Sequence, residues 1–263
     1  MTEARTSRRL VAVLGTEPGA ASLERIVMLA ERLHCEIHAT FVEEAALLWS
    51  AALPFTRWVA PSGASEPAFE PEAVRRALRL MAEDLRLRLA DLARGRRLHV
   101  SFAFVAASEL VTLAGERDFL LLTAARARLL AALPRPPRLP ASLPVLVLGE
   151  GRGPLLVLYA GDPRVLELAR EIAGATGGEI LLLALAEDAK TAEARLREAA
   201  EELAGLPVGE ESAATLSRDP LKRLPPDLIQ RGVGLAILDG AVAGQLLARV
   251  AELASAPRPR EIT

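Results

Sequence analysis

Short, wholly apolar runs alternate with longer stretches of helical periodicity, and the alternation occurs twice along the 263 residues. Leu10-Val-Ala-Val-Leu14 stops at Gly15, and Leu23, Ile26, Val27, Leu29, Ala30 and Leu33 then recur at helical spacing. The pair reads as strand, turn and helix. Glu36 to Val42 alternates as a second strand, and a segment broken by Pro54, Pro61, Pro67 and Pro71 leads to a long helix over 72–94. A third strand over 98–105, a short helix over 107–116, a strand over 118–123, a helix over 125–133 and a strand over 143–148 follow. Strands apolar on both faces and separated by helices demand a parallel sheet covered on each side.

After Gly149-Glu-Gly-Arg-Gly153 the pattern restarts. Residues 154–160 form a strand, Leu166, Leu168, Ala169, Ile172 and Ala173 a helix closed by Gly174, Gly177 and Gly178, and 179–185 a strand. A helix over 191–205, a weaker strand over 211–216, a short helix over 220–231, a strand over 234–238 and a helix over 242–254 complete the set. An internal duplication is the economical reading. It divides the chain into an α/β unit over 8–149, with an insertion at about 45–71, and a shorter unit over 154–263. Five parallel strands are expected in the first, and five or four in the second, whose only candidate for a fifth is Arg260 to Thr263. Twin lobes follow, and the account of two separate domains falls if the sheet is continuous.

Composition narrows the partners. Thirty-two basic residues against 34 acidic give a net charge of −2 and a pI near 6.0, without the basic footprint of a nucleic-acid binder. A single cysteine, Cys35, excludes an intrachain disulfide framework and a thiolate-rich metal site, and fits a reducing cytoplasm. No apolar stretch approaches the ~18 residues that span a bilayer, and the run 10–14 is too short for a signal peptide. A cytoplasmic protein without membrane insertion is expected.

Two copies of a strand-led α/β unit, each opening with an apolar strand and a small-residue turn, resemble tandem universal stress proteins of the adenine nucleotide α-hydrolase-like fold. The likeness rests on element order across nearly the whole chain, on Leu10 to Thr16 with the helix over 22–33, and on Glu36 to Glu43. Phe41-Val-Glu-Glu44 with Leu47-Leu48 and Leu53-Pro-Phe55 is similar to a stretch of proteobacterial tandem members. The resemblance implies two doubly wound domains packed as an intramolecular pseudo-dimer, with an unidentified protein partner or a homodimer beyond it.

Nucleotide-binding members of that family carry G-x-x-G-x9-G-[ST] after the fourth strand, where glycines let backbone N–H groups close on phosphates. In the first copy Thr123-Ala-Ala-Arg-Ala-Arg128 runs on to Pro134 without a glycine, so ATP binding is not expected there. The second copy offers Gly240, Gly244 and Ser255 as G-x-x-x-G-x9-A-S, a decayed version of the motif. The early aspartate of ATP-binding members has no counterpart near Leu14-Gly15-Thr16-Glu17, whereas Asp162 stands in its place in the second copy. The resemblance therefore implies a regulatory or binding protein without turnover. Its alternatives are an ATP- or AMP-binding stress sensor using Asp162, Gly240, Gly244 and Ser255, and a purely structural dimerisation module.

The remaining candidates have plain structural readings beside functional ones. His34-Cys35-x-x-His38 lies at a helix-to-strand junction where ligands do not converge, and no metal site is expected. His99 reads as a packed or edge residue, and no G-x-S-x-G elbow occurs, so no catalytic residue is assigned. Gly15 to Gly19 either approaches a phosphate or is a plain turn, and it lacks a P-loop lysine; Glu43 and Glu44 read as solvated loop-entry residues or a helix-start signal, beside a paired-carboxylate alternative. Arg126 and Arg128 either grip an anion or form the polar face of a helix. Trp49, Phe55 and Trp58 concentrate both tryptophans in the insertion, as an interface, a lid over a pocket, or local packing.

Overall fold

The computed structural model describes residues 8–16, 19–43, 71–106, 109, 112, 114–115, 117–133, 139–151, 153–216, 220–224 and 232–255. The insertion with Trp49, Phe55 and Trp58, the residue Glu44, most of 107–116 and the tail holding Arg260 to Thr263 lie outside them.

In chain order the described elements are β1 (Arg9–Leu14), α1 (Ala20–Arg32), β2 (Glu36–Glu43), α2 (Pro71–Arg94), β3 (Val100–Ala106), β4 (Phe119–Thr123), α3 (Ala124–Ala131) and β5 (Val145–Leu148). There follow β6 (Leu155–Tyr159), α4 (Pro163–Thr176), β7 (Ile180–Ala186), α5 (Ala189–Glu202), β8 (Val208–Thr215), a 3-10 turn (Pro220–Arg223), β9 (Leu235–Leu238) and α6 (Gly240–Ala254). No described helix is long and apolar enough to cross a membrane.

The fold is mixed α/β, with a single nine-stranded, mostly parallel sheet in the order β3-β2-β1-β4-β5-β9-β6-β7-β8. The expectation of twin lobes with separate sheets is corrected on this point. Strands β1 to β5 run parallel to one another, as do β6 to β9, and the two sets join where β5 lies antiparallel to β9, with Val145 opposite Leu238 and Leu148 opposite Leu235. The reason is apolarity. Val145 to Leu148 are all buried and Leu235 to Leu238 nearly so, and neither run carries a charge to protect an open edge. Joining them pairs the backbone N–H and C=O groups that two open edges would present, and lets the helices on both faces cover the apolar side chains as one continuous surface. At the outer edge β8 exposes Glu210 and Glu211, a composition that tolerates solvent.

Helices α1, α2, α4 and α5 cover one face of the sheet, over Leu10, Ile37, Phe41, Leu121, Val157 and Leu182. The other face carries α3 and α6, packed on each other over Val11, Val13, Leu122, Val147 and Leu158. Polar caps start the helices: Thr123, Asp162, Asp188 and Asp239 accept from the backbone N–H of Arg126, Arg164, Thr191 and Ala241. Asp188 explains why α5 begins at Ala189 rather than 191.

The glycine-rich seam is a crossing of backbones rather than a loose linker. A Cβ on Gly149 would overlap the carbonyl oxygen of Val233, and one on Gly153 would stand 2.7 Å from that of Gly232. Gly149 N–H donates to the carbonyl of Gly234 at 3.0 Å. From α1, Arg25 donates to the Gly149 carbonyl and, at 2.7 Å, to that of Gly234, tying the first strand set to the start of β9.

Candidate ligand-binding crevices

In an open α/β sheet the ligand crevice lies beyond the carboxyl ends of the strands, where the strand order changes direction. The nine strands offer two such places, between β1 and β4 and between β6 and β9. Because the two sets run oppositely, the carboxyl edge of β6 to β9 coincides with the amino edge of β1 to β5.

At the first place Thr123 ends β4 and caps α3, accepting from Arg126 N–H at 3.2 Å. That fixes the first turn, so the Arg126 side chain, leaning toward the helix start, crosses the strand ends. Its guanidinium donates to the Val42 carbonyl of β2 at 3.1 Å, and its Nη1 lies 3.2 Å from where a Cβ on Gly15 would be. Arg126 is only 4% exposed. Burying a guanidinium is costly unless its N–H groups are satisfied, and the strand-end carbonyl contributes to that. The reading of Arg126 as solvated helix surface is thereby corrected, whereas Arg128 is exposed.

At the second place Asp162 follows β6 and Asp239 follows β9. Asp239, 2% exposed, accepts from Asp162 N–H at 2.9 Å and from Ala241 N–H at 3.0 Å. Asp162 Oδ1 accepts from Arg164 N–H at 3.0 Å, and its Oδ2 is buried without a hydrogen-bond partner among the described residues. Gly161, at φ +117°, adopts a conformation that favours glycine, and the Arg195 guanidinium of α5 stands 3.1 Å from the position of its absent Cβ. Arg195 also donates to the Leu185 carbonyl of β7 at 2.5 Å. Behind it, the Tyr159 hydroxyl is held above its ordinary pKa by burial and then by the neighbouring Glu198 carboxylate.

The two places share a device. Phe41 is the β2 partner of Leu14, and Ala184 is the β7 partner of Tyr159, so Val42 and Leu185 are equivalent, one residue further on. An arginine donates to each of these carbonyls while covering the glycine turn after the neighbouring strand. In one case it comes from the helix after β4, in the other from the helix after β7.

Of the four second-copy candidates, the structure brings two together. Gly240 follows Asp239 directly and so sits beside Asp162, but its Cα faces backbone: a Cβ would overlap the Pro140 carbonyl and stand 2.6 and 2.9 Å from those of Leu143 and Ala141. Gly244 is exposed one turn on, with open space around it. Ser255 closes α6 at its far end, its hydroxyl donating to the Ala251 carbonyl at 2.8 Å, about 22 Å from Gly240 at 1.5 Å per residue.

The histidines and Cys35 do not converge. His34 is exposed at φ 48°, the Cys35 thiol is buried against the Ala30 carbonyl and pushed up to about 12 by burial, and His38 meets Ser101 at 2.7 Å on the opposite face of the sheet. Burial, then the Arg9 charge, lowers the His38 pKa. His99 precedes β3 rather than lying in it, exposed and 3.6 Å from Glu36. Among the described residues no group of three or more His, Cys, Asp or Glu side chains is placed to hold a metal.

Sequence reasoning missed Asp239 and Arg195. For Asp239 a signal exists, an aspartate between an apolar strand and a helix start, which marks an N-cap. Arg195 carries none, since only the fold brings it to Gly161 from 34 residues away.

No family model matches the chain, and no curated protein matches it. Among solved structures the chain is similar to one described as a functionally unknown protein, PA1789 from Pseudomonas aeruginosa PAO1. The two share 16% identity over 94% of this chain and 90% of that one, with a TM-score of 0.45.

Proposed function

We propose that the chain is a binding and regulatory protein of the universal-stress-protein type, two tandem doubly wound units over 8–149 and 154–263 paired within one molecule, which performs no turnover and binds no ATP in its first unit. The observation that carries this reading is Arg126. Its buried guanidinium occupies the crevice between β1 and β4, where family members would close glycine N–H groups on phosphates, and Thr123-Ala-Ala-Arg supplies no glycine to replace them. The single sheet rules out separate lobes, so the two units would be halves of one sheet; their tandem origin is supported by strand order, since β3-β2-β1-β4 and β8-β7-β6-β9 follow one plan, with β5 and β9 as the join.

Titration calorimetry with magnesium-ATP and AMP, beside an assay for released phosphate, tests the reading. Expected are no phosphate release and no nucleotide heat that survives Asp162→Ala. Heat abolished by Asp162→Ala would assign nucleotide sensing to the second unit. Stoichiometric ATP binding that persists in Asp162→Ala and changes in Arg126→Ala would overturn the proposal.

A further inference from the structure

The two outer edges of the sheet differ in kind. β8 exposes Glu210 and Glu211, charges that discourage a further strand, whereas β3, Val100-Ser-Phe-Ala-Phe-Val-Ala106, carries no charge along its length. In the parallel ladder with β2, Ile37 N–H donates to the His99 carbonyl at 3.0 Å, which sets the odd-numbered residues of β3 toward β2. Val100, Phe102, Phe104 and Ala106 therefore turn their backbone N–H and C=O groups outward. The Glu109 carboxylate takes the Ala106 N–H at 3.3 Å, and among the described residues nothing takes the outward groups of Val100, Phe102 and Phe104.

The same end of the molecule is apolar on its outside. Among the described residues five large apolar side chains are exposed, and four of them, Leu80, Met81, Leu87 and Phe104, belong to β3 or to α2, which packs on it. Phe104 is 37% exposed although its ring stacks on that of Phe41, with 5.5 Å between centres. Charge is divided along the strand: Arg97 stands exposed just before β3 and Glu109 just after it.

We infer that β3 is the interface with a second copy of this chain, the two strands pairing antiparallel about a two-fold axis at Phe102 so that the sheets join. That register sets Phe102 opposite Phe102 and Val100 opposite Phe104 of the second copy. It pairs all three open residues and leaves the Ala106 cap in place. Charge favours a copy of like sequence in this direction, because the start of one strand, with Arg97, comes to the end of the other, with Glu109. A parallel partner would set like against like. Opposite positions of an antiparallel ladder share a face, so the two α2 helices come side by side over the join, with Leu80, Met81 and Leu87 as their open apolar residues. The closed pair leaves only the glutamate-bearing β8 edges open. The interface uses neither crevice and does not depend on the reading of the preceding subsection.

Sedimentation equilibrium of the full chain over a concentration series tests the inference. Expected is a mass that rises from 28.1 kDa to twice that value. Phe104→Lys should weaken the association about a hundredfold, because a two-fold interface carries each substitution twice, at about tenfold apiece. Val100→Glu should act alike. Combining the two sets opposite charges against each other across the join and should bring the association back to within about tenfold of the unsubstituted chain. Within one copy the two positions are ~13 Å apart along the strand, too far to pair. Hydrogen exchange on the unsubstituted chain gives a readout free of any folding defect: the amides of Val100, Phe102 and Phe104 should exchange more slowly at concentrations where the dimer forms. A mass of 28.1 kDa at every concentration would overturn the inference and leave the edge to a strand of another protein. So would a dimer that Phe104→Lys leaves intact, a double variant no tighter than either single one, or exchange at these amides independent of concentration.

Discussion

The two carboxyl-edge crevices of this sheet are closed by different materials. Between β1 and β4 the filler is a side chain, the Arg126 guanidinium reaching the Val42 carbonyl across Gly15. Between β6 and β9 an arginine covers the turn as well, but the start of α6 is sealed by backbone, with the carbonyls of Pro140, Ala141 and Leu143 against Gly240. The difference follows from the antiparallel junction of β5 and β9, which sets the segment before β5 against the end of β9. A side chain can swing away, whereas a strand-anchored loop cannot, so the two places differ in what it takes to open them.

Paired glycine substitutions are the strongest test of that contrast. Gly240→Ala forces a Cβ onto fixed carbonyl oxygens and should cost about 3 kcal/mol, as overpacking against rigid surroundings does. Gly15→Ala meets only the far end of Arg126 at 3.2 Å, and should cost less than about 1 kcal/mol. Urea unfolding of both variants measures the gap, and equal losses would break the distinction. Gly240 substitutions consequently report on packing whether or not nucleotide binds.

Much of the architecture was legible in the sequence because it is written in local apolarity. Runs such as Phe119 to Thr123 and Ile180 to Ala186 are buried on both faces and could be nothing but interior strands. The joining of the strand sets was not legible, since the apolar run Leu235 to Leu238 says that it must be covered but not by which neighbour. Within the crevices Asp162 was singled out by the family resemblance, and its position just after β6 followed from the apolar run that precedes it. The burial of Arg126 was not, because an arginine in the first turn of a helix ordinarily faces water, and only the carbonyl of Val42, 84 residues away, draws it inward.

A smaller effect separates the edges by pH. Asp118 sits at the start of β4, on the edge shared with the second crevice. Burial alone would raise its pKa, but the Arg9 guanidinium and the N–H groups of Gly115 and Arg9 outweigh it and hold the carboxyl below its ordinary value. A depressed folded-state pKa gives stability that is complete above the unfolded carboxyl value of about 3.9 and lost as pH falls through the folded one. Asp118→Asn should therefore lose about 2 kcal/mol at neutral pH, with the deficit narrowing below pH 4. Denaturant midpoints between pH 7 and pH 3 read this out, and a deficit independent of pH would assign the loss to shape rather than charge.

The smallest expected effect has the opposite sign. Gly244 lies inside α6 on its solvent face, with nothing within 4 Å of where a Cβ would project. Glycine there leaves the unfolded chain more freedom than alanine would and gives nothing back in packing. Gly244→Ala should therefore stabilise the protein by roughly 0.5–1 kcal/mol. A glycine kept to close on phosphate would behave otherwise, since its substitution would weaken nucleotide binding whatever it did to stability. Measuring unfolding midpoint and ATP heat on the same variant separates the two. A gain in stability with no change in heat makes Gly244 part of a plain helix, and so confines the second crevice to Asp162, Asp239 and Arg195.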